Sequence, residues 1–163
     1  SAAPGLLPHP AVHATTVKQL CRHARARPGN RIEGSGGSGS PPHLTAELFK
    51  SEAAIDITHI PFKGSSPSVL ALVGGQIDLS FSTAVIVLPQ VNAGRLRGLA
   101  VTSPQRSKAM PGLPTMIEAG MPDFESQQWF GLFGPAGLAP DLVRRLNAEA
   151  TGIRGSPEMR DSI

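Results

Sequence analysis

Apolar positions recur along this chain in two rhythms, one with a period of about 3.6 residues and one of two. Val17, Leu20, Cys21 and Ala24 share one face of a helix that Thr15 or Thr16 can cap and Pro28-Gly29 ends. Arg31 to Glu33 reads as a short extended piece. Pro41-Pro42 suit a first helical turn, where a missing N–H costs little. The helix they open carries Leu44, Ala46, Leu48 and Phe49 and is expected to run to about Ala54. Ile55, Ile57 and Ile60 alternate into a strand closed by Pro61. Gly64 to Pro67 opens a third helix with Val69, Leu70 and Leu72, and Gly74-Gly75 ends it.

Beyond it, Ile77, Leu79 and Phe81 alternate as a strand, followed by Ser82-Thr83 and an apolar run from Ala84 to Val91. Pro89 inside that run predicts a kinked helix or two short pieces. Leu96 to Thr102 predicts a buried strand, Pro114 to Ala119 a short helix, and Phe124 to Phe133 an extended segment. Asp141 to Ala150 predicts an amphipathic helix, with a polar tail from Thr151. Ser1 to His13 offers only the short apolar pair Leu6-Leu7 between prolines and reads as an extended or ragged segment.

Strands alternating with helices predict an α/β fold around a mostly parallel sheet. In such sheets ligands bind beyond the carboxyl ends of strands, where loops feed helices. Three loops meet that description: Gly34–Ser40, Lys63–Pro67 and Ser82–Thr83.

Composition narrows the classes. The chain has 163 residues, 40% of them hydrophobic, enough for one domain with a core. Six Phe, one Trp and no Tyr leave little for base-stacking platforms, and a net charge of +3 marks no basic face. Arg22, Arg25, Arg27 and Arg31 cluster locally with His23, as a solvated helix face does, so no nucleic-acid partner is expected. The single cysteine, Cys21, excludes an internal disulfide and a cysteine-rich zinc site. No run reaches the ~20 apolar residues that span a bilayer.

The loops carry donors rather than acids and bases. A helix start presents unpaired N–H groups and the positive end of its dipole, and nearby glycines let an anion come close. Gly34, Gly36 and Gly39 also fit G-x-G-x-x-G, the dinucleotide-binding spacing. The strand before them is short and polar, however, and Asp56 stands near the start of its strand where a ribose-binding acid belongs at the end. Ser40 follows Gly39 where a phosphate-binding loop requires lysine, and no G-x-S-x-G elbow occurs within the run. His43, in a first helical turn, could bond a loop or reach a cleft; His59, in a strand, reads as packed or surface. Lys63 could attract an anion. No acidic cluster points to a metal, and no cofactor is expected.

Taken together, EGSGGSGSPPHLTAELF (33–49), HIPFKGSSPSVLALVGGQIDLSF, PQVNAGRLRGLAVTS, GLPTMIEAGMPDFESQQWFGLFGPAG and LNAE resemble the Bug family of bacterial solute-binding proteins. These are extracytoplasmic receptors of tripartite tricarboxylate transporters. The resemblance runs from about Leu6 to Glu149. It implies a type II-like periplasmic-binding-protein fold, two α/β lobes that close on an organic acid or amino acid, working with membrane transporter subunits and without catalysis. By that resemblance the ligand contacts are Ser35, Gly36, Gly39, Ser40, His43, Lys63, Gly64, Ser65, Ser66, Ser82 and Thr83.

It also implies an extended lead-in or crossover over residues 1–13, the ligand-binding lobe over 14–122, and a return strand with a first-lobe helix over 123–163. Three departures stand out. Phe62 replaces a common Tyr, Ser82 replaces a common Asp, and the first lobe's early strands and glycine-rich loop are absent. A partial site is therefore expected, binding a carboxylate weakly or not at all unless a partner completes it. An exposed first-lobe helix would favour self-association. The alternatives are a dinucleotide-binding α/β domain and a non-transporting interaction remnant.

Overall fold

Leu6 and Leu7 lie on an interior strand of the molecule's sheet. In the computed structural model, which describes residues 4–129 and 131–155, they belong to β1 (Pro4–Pro8), a strand buried along its whole length. The elements that follow are α1 (Val17–Ala26), β2 (Ile32–Ser35), α2 (Pro41–Ala53), β3 (Thr58–Pro61), α3 (Ser65–Val73), β4 (Leu79–Thr83), α4 (Ala84–Asn92), β5 (Ala100–Val101) and α5 (Pro140–Gly155), with a 3₁₀ turn at Pro10–Val12. The strands form a five-stranded sheet in the order β3-β2-β4-β1-β5. β2 runs parallel to β3 and β4, whereas β1 runs antiparallel to β4 and β5. The expected α/β class holds, with one antiparallel strand inserted beside β4.

The alternation of β1 explains why it belongs inside the sheet, between β4 and β5. Leu6 packs with α1 and α2 residues on one face, and Leu7 packs with α3 and α4 residues on the other. On the first face Phe49, Phe81 and Phe124 are fully buried, with ring centroids 5.7, 6.4 and 6.5 Å apart. Burying each such ring contributes roughly 1.5–3 kcal/mol. The sequence hid this strand because Pro4 and Pro8 bracket it, and proline gives no N–H to a ladder. Here both prolines sit at strand ends, and Pro4 O accepts from Thr102 N at 3.0 Å.

α1 begins at Thr16, whose hydroxyl accepts from Gln19 N at 3.2 Å, and buries Val17, Leu20, Cys21 and Ala24. Arg25 donates to Ala53 O at the end of α2, and Thr45 Oγ1 meets Ser126 Oγ at 2.6 Å. β2 is pinned to β4 largely by side chains. Asp78 accepts from Ile32 N and from Arg31, both at 2.9 Å, and Ser80 Oγ donates to Gly34 O at 2.7 Å.

Several boundaries differ from the sequence reading. The Ala84–Val91 run is one helix with Pro89 inside it, because only one helical bond is lost there. The strand expected over Leu96–Thr102 shrinks to β5. Pro114–Ala119 forms a turn rather than a helix, with Thr115 and Glu118 capping each other's N–H groups at 2.9 and 3.1 Å. Of the extended segment expected over Phe124–Phe133, the described residues form an isolated bridge at Gln128 and no longer strand.

By compactness the chain divides at Gln128/Trp129. The sheet and α1–α4 form the first unit. The second contains α5, which is longer than expected and leaves Leu142, Val143, Leu146 and Ile153 exposed. Ser1–Ala3, Phe130 and the tail after Gly155 lie outside the described residues.

Leu6 is fully buried and Leu70, on α3, is 68% exposed. Leu6→Ala is expected to cost about 2–5 kcal/mol and Leu70→Ala under about 0.5 kcal/mol, measured by urea unfolding.

Candidate functional site: converging helix starts at one sheet edge

Because β2, β3 and β4 run parallel, the helices that follow them all begin at the same edge of the sheet. The β2–α2 and β3–α3 loops are bonded to each other. Phe62 N donates to Ser35 O at 2.9 Å and Gly64 N donates to Gly36 O at 3.1 Å, extending the strand pairing into the loops. A Cβ on Gly36 would stand 3.0 Å from Ser65 N and 3.1 Å from the Gly64 carbonyl carbon. Glycine there is what lets the start of α3 come so near. Gly64, the residue before α3, has φ 111, a conformation that again favours glycine.

The two helix starts contribute unequal numbers of donors. Pro41 and Pro42 have no N–H, and Leu44 N already donates to Ser40 O at 3.0 Å, so α2 offers chiefly the N–H of His43. α3 offers Ser65 and Ser66 before Pro67. At α4, Thr83 is the residue before the helix and makes no side-chain cap, leaving its hydroxyl uncommitted to the backbone. Ser40, before α2, likewise makes no cap, and its buried Oγ has no protein partner among the described residues.

The other predicted residues are placed as follows. Ser35 is fully buried, and its Oγ contacts His59 Nε2 at 2.7 Å and accepts from Gly37 N at 3.2 Å. Gly39 N donates to His43 Nδ1 at 3.0 Å, so that histidine holds the loop. Lys63 is exposed beside Gly64. Ser82, buried in β4, lies 3.3 Å from Ser80 Oγ. Phe62 packs its ring against the core beneath α3 and α4. The sheet edge thus gathers Gly36, Gly39, Ser40, His43, Gly64, Ser65, Ser66 and Thr83, while Ser35 and Ser82 support it from within the strands.

Sequence reasoning missed the acid underneath. Glu33, taken as part of a polar extended piece, is 1% exposed, and neither carboxyl oxygen has a hydrogen-bond partner among the described residues. Its strand alternation places it on the same face as Ser35, and the register pairs it with His59. Burial first, then the nearby Glu47, pushes the Glu33 carboxyl up to about 8, against a smaller opposing pull from Lys50. Burial holds the His59 imidazole below its usual range, and the neighbouring His43 lowers it further. The Ser35–His59 contact does not make a nucleophile. Ser35 is sealed from solvent, and Glu33 approaches the same ring nitrogen as the serine (Oε2 to Nε2, 3.8 Å) instead of the opposite one.

The dinucleotide alternative loses its geometry. Gly34 lies within β2, two prolines occupy the first turn of α2, and Asp56 precedes β3 at the other end of the sheet, beside Gly29. Among the described residues, no group of three His, Cys, Asp or Glu side chains is placed to hold a metal ion, and no helix is long and apolar enough to cross a membrane.

Comparison with known proteins decides the family. A family model described as the tripartite tricarboxylate transporter family receptor matches residues 1–163. The chain belongs to that family. A Pseudomonas sp. (strain P51) protein encoded between tcbD and tcbE is 36% identical over 148 residues, 90% of this chain and 44% of that protein. The protein BugT of Bordetella pertussis is 35% identical over 142 residues, 87% of this chain and 44% of that protein. Rpa4515 of R. palustris, solved with adipate, superposes with a TM-score of 0.90 at 34% identity, covering 97% of this chain and 53% of that one. MatC of Rhodopseudomonas palustris, solved with malate, gives 0.92 at 26% identity, over 99% and 55%. The fold is thus the type II-like one of these periplasmic binding proteins, and the chain spans about half the length of these relatives.

Two outcomes follow from the geometry. Gly36→Ala is expected to separate the two loops and cost about 1–3 kcal/mol in urea unfolding, because backbone atoms block the new methyl. For Glu33, the folded state holds its proton more tightly than the unfolded chain. Its contribution is therefore fully present below about pH 4.5 and is lost as pH rises through about 8. Unfolding midpoints measured from pH 5 to pH 9 are expected to fall more steeply in the native chain than in Glu33→Gln.

Proposed function

We propose that this chain supplies one ligand-contacting face of a periplasmic solute-binding receptor that captures a small carboxylate for a tripartite transporter. The carrying observation is the Gly64 N to Gly36 O bond, which brings the start of α3 against the glycine loop that leads into α2. A carboxylate placed there meets the N–H groups of His43, Ser65 and Ser66, with the hydroxyls of Ser40, Ser65, Ser66 and Thr83 around it. Each helix start contributes about 0.3–1 kcal/mol to holding an anion, more when water is excluded. Gly36, Gly39 and Gly64 let the ligand approach the backbone, Lys63 attracts it from the rim, and Ser35 and Ser82 brace the strands beneath.

The adipate and malate held by the two structural relatives support a carboxylate ligand. Ser82, in place of the Asp common in the family, supplies no carboxylate for a ligand amine, which favours a plain organic acid over an amino acid. The site residues are donors without an activated nucleophile or a paired acid and base, which supports binding without catalysis. In this reading the lobe expected over 14–122 also takes in β1 and Phe124, which belong to its sheet and core, the chain beyond Gln128 carries the return crossing, and a facing lobe encloses the ligand and excludes water. The exposed apolar positions of α5 favour self-association when that lobe is lacking.

The test is amide NMR of this chain titrated with adipate and with malate. Saturable shifts centred on Gly36, His43, Ser65, Ser66 and Thr83 are expected, with an affinity of about 1 mM or weaker. Equal shifts with the uncharged diamide of adipate, or none with either acid, would overturn the carboxylate reading. Submillimolar binding by the monomer would overturn the single-face reading.

A further inference from the structure

Glu33 lies directly below the glycine loop, and its surroundings give its proton a path of influence to that loop. The groups facing it can be enumerated. From β3 comes His59, with Nε2 at 3.8 Å from Glu33 Oε2. From α2 come His43, Glu47 and Lys50, where Lys50 Nζ bonds Glu47 Oε1 at 2.8 Å and His43 Nε2 lies 3.7 Å from the same oxygen. From β4 the same face presents Leu79 and Phe81, which carry no charge. The rings of His43 and His59 stack with centroids 4.0 Å apart.

Each histidine also holds one end of the loop. His59 Nε2 contacts Ser35 Oγ, which accepts from Gly37 N, and His43 Nδ1 accepts from Gly39 N. The same His59 nitrogen therefore faces both the buried acid and the serine that anchors the loop. It has at most one proton to offer between them.

We propose that Glu33, His59 and His43 form a proton-linked latch beneath the glycine loop, so that the geometry of residues 36–40 depends on whether Glu33 carries its proton. With Glu33 neutral, His59 Nε2 serves Ser35 and the loop keeps its bonds. When Glu33 releases its proton to solvent, the donor that the described residues place beside the buried carboxylate is His59 Nε2 at 3.8 Å, Lys50 being bonded to Glu47. The carboxylate draws the Nε2–H of His59 toward itself, because an unpaired buried charge is costlier than a lost neutral hydrogen bond. Ser35 then loses the histidine and keeps only its own bonds to Gly37 N and Gly37 O, and the shifted ring leaves the His43 stack that steadies Gly39. Carboxylate capture weakens as a result, an effect that rests on the function proposed above; the motion of the loop itself does not.

The experiment is a pH titration of this chain by NMR between pH 5.5 and pH 9.5, without ligand. It follows the Glu33 side-chain carboxyl carbon together with the amides of Gly37 and Gly39. The expected result is a shared midpoint near pH 8. The amide titration should vanish in Glu33→Gln. In His59→Gln the carboxyl should still titrate while the Gly37 amide no longer follows it. Loop amides that titrate unchanged in Glu33→Gln would overturn the latch. So would a Glu33 midpoint in the ordinary carboxylate range, or loop amides that stay fixed while Glu33 ionises. Adipate affinity at pH 6.5 and pH 9 adds a second readout, with a severalfold loss expected in the native chain and none in Glu33→Gln. Absence of adipate binding at both values would count against the function proposed above, and the amide titration would still decide the latch.

Discussion

The hydrogen bond from Gly64 N to Gly36 O is the constraint on which the site depends. It continues the parallel pairing of β2 and β3 past the ends of both strands, together with Phe62 N to Ser35 O. Parallel strands send their following helices off from the same edge, but adjacency alone leaves the helix starts a strand-width apart. The extra loop bonds draw α3 against the backbone of Gly36, where no side chain could fit without displacing main-chain atoms. A donor-lined surface follows from that contact, carrying the hydroxyls of Ser65, Ser66 and Thr83, with the Ser40 hydroxyl buried beside it.

Holding such a loop still requires support from below, and the protein supplies it with polar groups instead of more core. Ser35, His59, His43 and Glu33 occupy a position where the opposite face of β2 is filled by Ile32 and its apolar neighbours. The polar arrangement is thermodynamically expensive. A buried carboxyl with no hydrogen bond to protein stays neutral to avoid the cost of a desolvated charge. That cost is carried by the two aromatic-rich and aliphatic cores on either side of the sheet, in which Phe49, Phe81 and Phe124 alone bury three complete rings.

Much of this was legible in the chain. The periodicity located α1 to α4 closely, and the glycine and serine loops were recognisable as the segments that lead into α2 and α3. The family resemblance agreed with the family model that spans residues 1–163. β1 was not legible, because a five-residue strand bounded by two prolines carries no period long enough to detect, and its place was decided by which neighbours could cover both Leu6 and Leu7. The turn at Pro114–Gly120 was read as a helix because its composition suits one. Reciprocal capping of Thr115 and Glu118, together with the bridge from Thr115 to Val101, holds it as a turn instead.

What the sequence determined by itself is local: where helices can start, which faces are apolar, and that the loops carry donors instead of catalytic acids and bases. These depend on residues a few positions apart and on backbone chemistry that each glycine, proline and serine brings with it. What only the tertiary structure decided is which distant residues meet. Glu33 and His59 are separated along the chain but sit opposite each other in the β2–β3 register, and Ser35 and His59 touch for the same reason. Strand register is a property of pairing across the sheet, so no reading of either strand alone could place a buried acid under the loop.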